Sequence, residues 1–297
     1  MVETQAVNTT YEPFSLEPEY VETNRRFVER PDLGRVKRFL DLACGNGVVS
    51  QLLLEAKPEA HLNGLDYDPI QIDLIENRFT DLGYGVRRGI ELTEDVVGGK
   101  PVLVFGVGSA DTLPYPEASF DCVTIANAIH MLPDRQKLLC AVRRVLKPGG
   151  VFGFNTSFYA GTFPEGTHQF YMEWLKRASQ RIAERSRKRV EEGGLPIRRV
   201  RGTTHRAFQV RWLKPEEWSE ELAQTGFQTA DVHEREVLLS GRSFAAVGAY
   251  AGMAEVLLSG YPVEEASFAL QSTAEEAVSS LNLSAVPRNW LEMWATA

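Results

Sequence analysis

The stretch Phe39-Leu-Asp-Leu-Ala-Cys-Gly-Asn-Gly47 decides the fold of this 297-residue chain. Its apolar start predicts a buried strand, its small residues predict a tight turn, and the apolar spacing from Val48 onward predicts a helix. Such a turn lets a ligand approach the backbone closely and directs free N–H groups towards it. Turns of this kind bind several classes of ligand and some bind none, so the turn alone leaves ordinary turn chemistry open.

The second predicted strand, 62–65, ends in Asp66-Tyr67-Asp68-Pro69. An acid at the carboxyl end of the second parallel strand is placed to accept hydrogen bonds from a ribose diol. Pro69 suits the first turn of the helix that follows.

Three more apolar runs predict further strands, each followed by polar or small residues. These runs are 102–105, which leads into Gly108-Ser-Ala-Asp111, 120–126, which leads into Asn127-Ala-Ile-His130, and 151–154, which follows Lys147-Pro-Gly-Gly150.

These five motifs, in this order and with these spacings, resemble those of class I S-adenosylmethionine-dependent methyltransferases. The resemblance is to the small-molecule branch that includes the enzymes of ubiquinone and menaquinone biosynthesis. It covers about residues 36–156 and continues more weakly over 212–236. It implies an α/β fold with a doubly wound, mostly parallel, seven-stranded Rossmann-like sheet, whose last two strands we expect at 228–239 and 290–294.

The resemblance also implies the cofactor, S-adenosyl-L-methionine, with S-adenosyl-L-homocysteine as the product. Asp41, Gly45 and Gly47 match the family's acidic-start glycine motif, beside the methionine end of the cofactor. Ala43 stands where the family often has its first glycine. Asn127 matches the residue after the fourth strand, close to the methionine portion.

On the nucleoside side, the resemblance assigns Asp66 to the ribose and Tyr67 to packing on the adenine. Ala110 and Asp111 match the pair that reads the adenine edge. Two structural alternatives stay open, because Asp111 also fits a turn or helix-capping acid and Tyr67 also fits ordinary packing.

The segments outside these motifs are expected to form a single methyltransferase domain, 1–297, with helical lid insertions. The resemblance implies that the N-terminal segment covers the cofactor, where Tyr11 and Tyr20 are candidate ligand contacts. The predicted parts are an N-terminal cover 1–35, a core 36–156 and 212–239, insertions at about 157–211 and 240–285, and a last strand at about 288–296.

The acceptor is expected to be methylated on oxygen or carbon, with nitrogen as a further option, and mainly through positioning. A phenol, enol or acidic carbon must lose a proton, and His130 is the candidate base or acceptor-orienting group. The alternative is a pocket histidine with a structural hydrogen bond. Tyr159, His168 and His205 are weaker candidates in the first insertion, Tyr159 for substrate contact.

The first insertion is strongly basic in an acidic chain. Residues 175–211 hold 12 Lys and Arg against 3 Glu, while the whole chain carries a net charge of −8. The excess predicts either recruitment of an anionic acceptor or acidic carrier protein, or a solvated amphipathic helix over 171–190 that buries Trp174 and Ile182. Nucleic acid is disfavoured as a partner because the rest of the chain would repel its phosphates.

Other classes fit the sequence less well. No run of about 18 apolar residues predicts a membrane span, and no signal peptide is visible. The 3 cysteines lack CxxC spacing, so we expect reduced cytoplasmic thiols and no metal site. A nicotinamide oxidoreductase would need a third glycine after Gly47, whereas Val48-Val-Ser50 follows. A protein that binds the cofactor without turnover stays open.

Overall fold

The computed structural model describes residues 11–200 and 211–297. It confirms an α/β fold with a largely parallel central sheet. The sheet strands are β1 (Arg38–Leu42), β2 (His61–Asp66), β3 (Val86–Arg88), β6 (Leu103–Val107), β7 (Phe120–Ala126), β8 (Leu146–Thr156), β9 (Gln228–Leu239) and β10 (Val286–Thr296). A separate two-stranded sheet joins β4 (Val96–Val97) and β5 (Lys100–Pro101).

The helices alternate with the strands in the first half of the chain and cluster in the second half. They are α1 (Glu12–Ser15), α2 (Pro18–Glu29), α3 (Val48–Ala56), α4 (Pro69–Asp81), α5 (Arg135–Val145), α6 (Thr167–Glu191), α7 (Pro215–Gln224), α8 (Gly241–Ala249), α9 (Ala251–Leu257) and α10 (Val263–Ser280), with a 3-10 turn at Ile129–Met131. No helix in the described part of the chain has the length and apolar character that a membrane span requires.

The strand order is β3-β6-β2-β1-β7-β8-β10-β9. The pairs from β3 to β8 are parallel, and β10 runs antiparallel to β8. The sheet therefore has one strand more than the seven that we predicted, the edge strand β3. Its three residues include Arg87 and Arg88, both exposed, so it lacks the apolar run by which the other strands were found. Short, charged edge strands are common because they discourage pairing with other chains.

The central strands bring the polar residues of the motifs to one edge of the sheet. In β1 every residue is buried, as expected for a parallel strand covered on both faces. Leu42 is in register with Leu65 of β2 and with Ile125 of β7, and Ala126 is in register with Asn155. The residues that follow these positions therefore emerge together at the carboxyl edge.

The described residues group into two compact units. The first contains 11–20, 163–200 with Arg211, and 236–289, and is mainly helical. The second contains 21–162, 212–235 and 290–297, and holds most of the sheet. The residue ranges of the first unit largely coincide with the three segments that lie outside the sequence motifs. That the whole chain forms one methyltransferase domain stays a prediction.

Candidate cofactor and catalytic site

The glycine turn after β1 has three residues in the left-handed region. Ala43 has φ +50°, Gly45 has φ +52° and Gly47 has φ +84°. Gly47 is the N-cap of α3, so the turn leads directly into the helix N-terminus. A non-glycine residue in this conformation costs about 1–2 kcal/mol, and such strain is concentrated at functional turns.

The two glycines of the turn are needed for different reasons. A Cβ at Gly47 would lie 2.5 Å from Cγ1 of Ile75 and 3.0 Å from Cε2 of Phe79. Among the described residues, a Cβ at Gly45 would meet Oε1 of Gln71 at 3.7 Å, which is an ordinary van der Waals distance. Gly47 is thus required by packing of the turn against α4, whereas a Cβ at Gly45 would be accommodated without a clash among the described residues.

Asp66 is the acid at the carboxyl end of β2, and it is 5% exposed. Its Oδ2 accepts a hydrogen bond from the Gly45 N–H at 2.9 Å, and its Oδ1 accepts one from the Asp68 N–H at 3.0 Å. Burial raises the pKa of the Asp66 carboxyl, and these two backbone bonds oppose the rise. Since each carboxylate oxygen can accept two hydrogen bonds, both retain capacity for a ligand hydroxyl.

Asp41 lies on β1, two residues before the turn, and is almost fully buried. Its carboxylate accepts hydrogen bonds from the Ser50 hydroxyl at 2.6 Å and from the Thr124 hydroxyl at 3.0 Å. Burial raises the pKa of Asp41 to about 6, because the two hydroxyl bonds only partly offset the loss of water and Asp66 adds repulsion. The carboxylate ties β1 to α3 and β7 beneath the turn.

The residues assigned to adenine differ in their surroundings. Tyr67 is 75% exposed, and Ala110 is buried in the core cluster. Asp111 accepts hydrogen bonds from the Ser109 hydroxyl at 2.7 Å, the Thr112 hydroxyl at 3.1 Å and Lys137 Nζ at 3.2 Å. The Ser109 bond is the main reason that the pKa of Asp111 lies below its usual value. Asp111 therefore stabilises the loop in which it lies, as the alternative role of a turn acid predicts. Its contact with adenine stays a prediction.

Asn127 follows β7 in a left-handed conformation, with φ +47°. Its N–H donates to Oδ1 of Asn155 at 2.9 Å, and its own Oδ1 accepts from the N–H and the hydroxyl of Ser157, at 2.9 and 3.0 Å. The Asn155 amide donates in turn to Oδ1 of Asn24 at 2.8 Å. A buried polar network thus fixes the chain ends of β7 and β8 against each other.

His130 lies in the 3-10 turn three residues after Asn127, and it is buried. Its Nδ1 is 3.0 Å from Oγ1 of Thr156, and its ring stacks on Phe158 with 4.1 Å between the ring centroids. Oγ1 of Thr156 also accepts from the Phe158 N–H at 3.0 Å. The imidazole is thereby fixed by a hydrogen bond at Nδ1 and by ring stacking on one face.

The other candidate residues are placed as follows. Tyr159 is fully buried and donates its hydroxyl to Oε2 of Glu234 at 2.5 Å, which fits a structural role. Tyr11 and Tyr20 belong to the first unit, where their rings pack edge-to-face with each other, 6.2 Å between centroids. His168 is exposed at the start of α6, and His205 lies outside the described residues.

The structure therefore brings together two groups of predicted residues. One group joins Asp41, the glycine turn and Asp66; the other joins Asn127 and His130 through β8. The motifs did not reveal the residues at the carboxyl end of β8 that hold the second group, which are Asn155, Thr156 and, just after the strand, Ser157. A run of three polar residues directly after the apolar part of a buried strand is a signal that could have found them.

Comparison with known proteins finds a family match in the central part of the chain. Residues 40–154 match a methyltransferase domain family. Over 124 residues the chain is 34% identical to the ubiquinone/menaquinone biosynthesis C-methyltransferase UbiE of Methylobacterium nodulans, covering 41% of this chain and 43% of that protein. Over 145 residues it is 30% identical to a phthiotriol/phenolphthiotriol dimycocerosates methyltransferase of Mycobacterium leprae, covering 49% of this chain and 47% of the relative.

The matches span less than half the length of these two relatives. Among solved structures, the YcgJ protein of Bacillus subtilis has the same fold, with a TM-score of 0.54 and 16% identity over 93% of this chain and 97% of that one. Residues 40–154 therefore match a methyltransferase domain, and these similarities support a class I S-adenosylmethionine-dependent methyltransferase of the small-molecule branch.

Proposed function

We propose that this protein transfers a methyl group from S-adenosylmethionine to a small-molecule acceptor, on oxygen or carbon in preference to nitrogen. The observation that carries the proposal is the contact between the Asp66 carboxylate and the Gly45 amide at the carboxyl edge of the sheet. It joins a carboxylate acceptor to a glycine backbone that a Cβ would not crowd among the described residues. Ligands of open α/β sheets bind at this edge.

The residues present fit the nucleoside half of the cofactor. Asp66 can accept hydrogen bonds from both ribose hydroxyls while it keeps its backbone bonds. The exposed ring of Tyr67 offers an apolar face for the adenine, and Ala110 and Asp111 would contact the adenine edge.

The methionine half would lie over the glycine turn. Asp41 and Ala43 are proposed to form the floor of this region, and Asn127 to flank it from the end of β7. A contact of Tyr11 and Tyr20 with the ligands stays a prediction from the sequence. The small side chain of Ala43 preserves close approach to the backbone where the family often has glycine.

The bound cofactor would supply a methyl group on a positively charged sulfur, open to in-line displacement. The protein's part is to orient the acceptor atom towards that methyl group and to keep water away. His130 is proposed to contact the acceptor, since its ring is buried, stacked and hydrogen-bonded at a strand end of the same edge. Tyr159 supports this region from within the core.

The excess of Lys and Arg over residues 175–211 is weaker support for an anionic acceptor than it appears from the sequence. Arg185 pairs with Glu265 of α10 at 2.7 Å and lies 4.0 Å from the Phe268 ring centroid, and Arg181 pairs with Glu276 at 2.9 Å. These acids neutralise much of the basic face of α6 within the first unit. The helix buries Trp174 and Ile182 as predicted. We therefore propose a neutral acceptor, or one ionised only at the reacting group.

The relatives are named as methyltransferases of ubiquinone/menaquinone biosynthesis and of phthiotriol dimycocerosates, which motivates the choice of acceptors for a test. The purified protein, incubated with methyl-labelled S-adenosylmethionine and a panel of hydroquinones, phenols, β-diketones and amines, should form S-adenosylhomocysteine with at least one oxygen or carbon acceptor. Product mass, with Asp66→Asn as the matched control, establishes methyl transfer, and NMR of the product identifies the acceptor atom. Tight binding of the cofactor with no product from any acceptor, including co-purified molecules, would favour a binding protein without turnover.

A further inference from the structure

Asn24 is a fully buried polar residue on the face of α2 that packs against the sheet. On the same helix, the Phe27 ring stacks on Trp294 of β10 with 4.8 Å between centroids, and Arg30 pairs with Asp231 of β9 at 2.6 Å. Stacking and an ion pair thus attach α2 to the sheet. A buried amide is costly unless it is hydrogen-bonded, so its presence on this face calls for a specific role.

The contact of Asn24 that leads to the proposed site is with Asn155 of β8. Oδ1 of Asn24 accepts a hydrogen bond from Nδ2 of Asn155 at 2.8 Å, and Asn155 is itself fully buried. Oδ1 of Asn155 accepts from the Asn127 N–H at 2.9 Å, and the main-chain carbonyl of Asn155 shares that N–H at 3.0 Å. The two ends of one side-chain amide therefore connect α2 with the residue that follows β7.

The bond to Asn24 favours one orientation of the Asn155 amide. The amide has a donor end and an acceptor end, whereas the main-chain N–H of Asn127 can only donate. If the Asn155 amide were reversed, its Nδ2 would face the Asn127 N–H and its Oδ1 would face Oδ1 of Asn24. Donor would then meet donor and acceptor would meet acceptor in a buried site, where mismatched polar groups are most costly. An acceptor at position 24 thus keeps Oδ1 of Asn155 directed at Asn127.

Asn127 is a residue whose backbone depends on such support. Its φ of +47° lies in the left-handed region, which a non-glycine residue occupies at a cost and keeps where its surroundings hold it. Asn155 binds its N–H, and Ser157 donates to its side-chain oxygen from both the N–H and the hydroxyl. A change in the Asn155 amide would therefore be felt in the conformation of Asn127.

On the basis of the proposed function, which sets Asn127 beside the methionine end of the cofactor, we infer that Asn24 is a positioning residue for that end. Through Asn155 it holds Asn127 in the left-handed conformation, and α2 thereby contributes to recognition of the amino-acid portion of the ligand. The nucleoside portion belongs to Asp66 at the end of β2 and does not depend on this chain of hydrogen bonds.

Two ligands separate these portions. S-adenosylhomocysteine carries the amino-acid portion, and 5′-methylthioadenosine lacks it. Asn24→Leu removes the acceptor at similar side-chain size, so it should raise Kd for S-adenosylhomocysteine by about 10-fold and leave Kd for 5′-methylthioadenosine within about threefold, measured by calorimetry. Equal losses for the two ligands, or no loss for either, would overturn the inference.

Phe27→Leu is the matched control, since it weakens the packing of α2 on the sheet and leaves Asn155 untouched. It should lower Tm and leave the ratio of the two Kd values at that of the parent. A ratio that changes as much in Phe27→Leu as in Asn24→Leu would show that loosening of the helix causes the loss, and would overturn the role of Asn24.

A double variant tests whether Asn24 acts through Asn155. Asn155→Leu should show the same selective loss, and Asn24→Leu combined with Asn155→Leu should bind S-adenosylhomocysteine no more weakly than Asn155→Leu alone. Additive losses would show that Asn24 acts by another route and would overturn the inference.

Should a leucine variant fail to fold, NMR of the parent carries the test. The Hδ2 protons of Asn155 should give stronger NOEs to the side chain of Asn24 than to the amide proton of Asn127. The opposite pattern would show a reversed amide and overturn the inference. A parent that binds neither ligand would instead contradict the proposed function, and this inference with it, whereas a parent that binds both without a selective loss in Asn24→Leu would overturn the inference alone.

Discussion

The Gly45 amide donates a hydrogen bond to Oδ2 of Asp66 at 2.9 Å. This bond joins the turn after β1 to the end of β2, across two strands that lie side by side in the sheet. Asp66 therefore has two tasks, since it shapes the glycine turn and is proposed to hold the ribose. A loss of cofactor affinity in an Asp66 variant could arise from either task. Separating the two tasks therefore requires a change in the ligand as well as a change in the protein.

Asp66→Asn is expected to weaken S-adenosylhomocysteine binding by about 1.5–3 kcal/mol, because a charged acceptor for the ribose hydroxyls is lost. That corresponds to an increase of roughly 10- to 150-fold in Kd, measured by calorimetry. The 2′-deoxy analogue of the ligand separates the two tasks. If Asp66 contacts the ribose, the substitution should weaken the analogue much less than the parent ligand.

Asp68→Asn provides the matched control, since Asp68 caps α4 by accepting from the Ile70 N–H and has no proposed ligand contact. It should leave Kd for both ligands within about threefold of the parent. Equal losses for the two ligands in Asp66→Asn would show that the carboxylate acts through the turn and that the ribose assignment is wrong.

The glycines of the turn should respond differently to alanine. Gly47→Ala places a Cβ 2.5 Å from Ile75 and also strains a left-handed residue, so it should lower the free energy of unfolding by more than about 2 kcal/mol. Gly45→Ala has only the conformational strain, about 1–2 kcal/mol, since its Cβ would be 3.7 Å from Oε1 of Gln71, an ordinary van der Waals distance. Urea unfolding without cofactor measures the loss of stability in each variant, and unfolding with cofactor measures the stabilisation that binding adds.

In this comparison Gly45→Ala is the variant that reports on the ligand. It should weaken cofactor binding while the chain stays folded, because its methyl group enters the space proposed for the methionine end. Equal destabilisation by the two alanines would contradict the packing explanation for Gly47. Unchanged ligand affinity in a folded Gly45→Ala would argue against the placement of the cofactor over the turn.

The sequence predicted the central strands and the glycine turn because these features are encoded locally. Apolar runs such as 120–126 and 151–154 are long enough to mark buried strands, and the left-handed turn uses the small residues that tolerate it. The apolar run 62–65 placed Asp66 at a strand end, and the family resemblance assigned it to the ribose. The structure confirms the fold that these signals predict.

Contacts between distant segments could not be obtained in this way. The bond from His130 to Thr156 joins residues 26 positions apart, and nothing in either local pattern fixes its length or direction. The basic segment is a second case, because its charges appear unbalanced until Glu265 and Glu276 of α10 are found beside it. Composition counts charges along the chain, whereas the local field depends on their arrangement in space.

Asp41→Asn should change how stability depends on pH. The pKa of Asp41 is about 6 in the folded chain, against 3.8 for an unperturbed aspartic acid, so its stabilising contribution is complete below about pH 4 and is lost as pH rises through 6. The ionised buried carboxylate then costs on the order of 3 kcal/mol at pH 7. Relative to Asp41→Asn, the parent should lose about that much stability between pH 4 and pH 7.

Denaturant unfolding at several pH values measures this difference directly. Ser50→Ala is a useful companion, since it removes the shorter of the two hydroxyl bonds to Asp41 and should raise the carboxyl pKa further. If the carboxyl of Asp41 titrated normally in the folded chain, the difference in unfolding free energy between the parent and Asp41→Asn would not change between pH 4 and pH 7. That result would contradict the raised pKa.

The basic helix α6 offers a test that separates packing from recruitment of an anionic acceptor. Arg185→Ala removes the ion pair with Glu265 and the contact with the Phe268 ring, so it should lower the free energy of unfolding by about 1–2 kcal/mol. Arg187 is exposed on the same helix, and Arg187→Ala should change stability by no more than about 0.5 kcal/mol.

Arg187→Glu then probes the field felt by the substrate without disturbing those contacts. Long-range attraction acts mainly on the association rate and is screened within about 10 Å at 0.1 M salt. For the neutral acceptor that we propose, kcat/KM of the parent and of Arg187→Glu should be superimposable across a salt series. A specificity constant that falls with salt in the parent, and that is lower and flatter in the variant, would instead establish that the surface of α6 attracts an anionic acceptor.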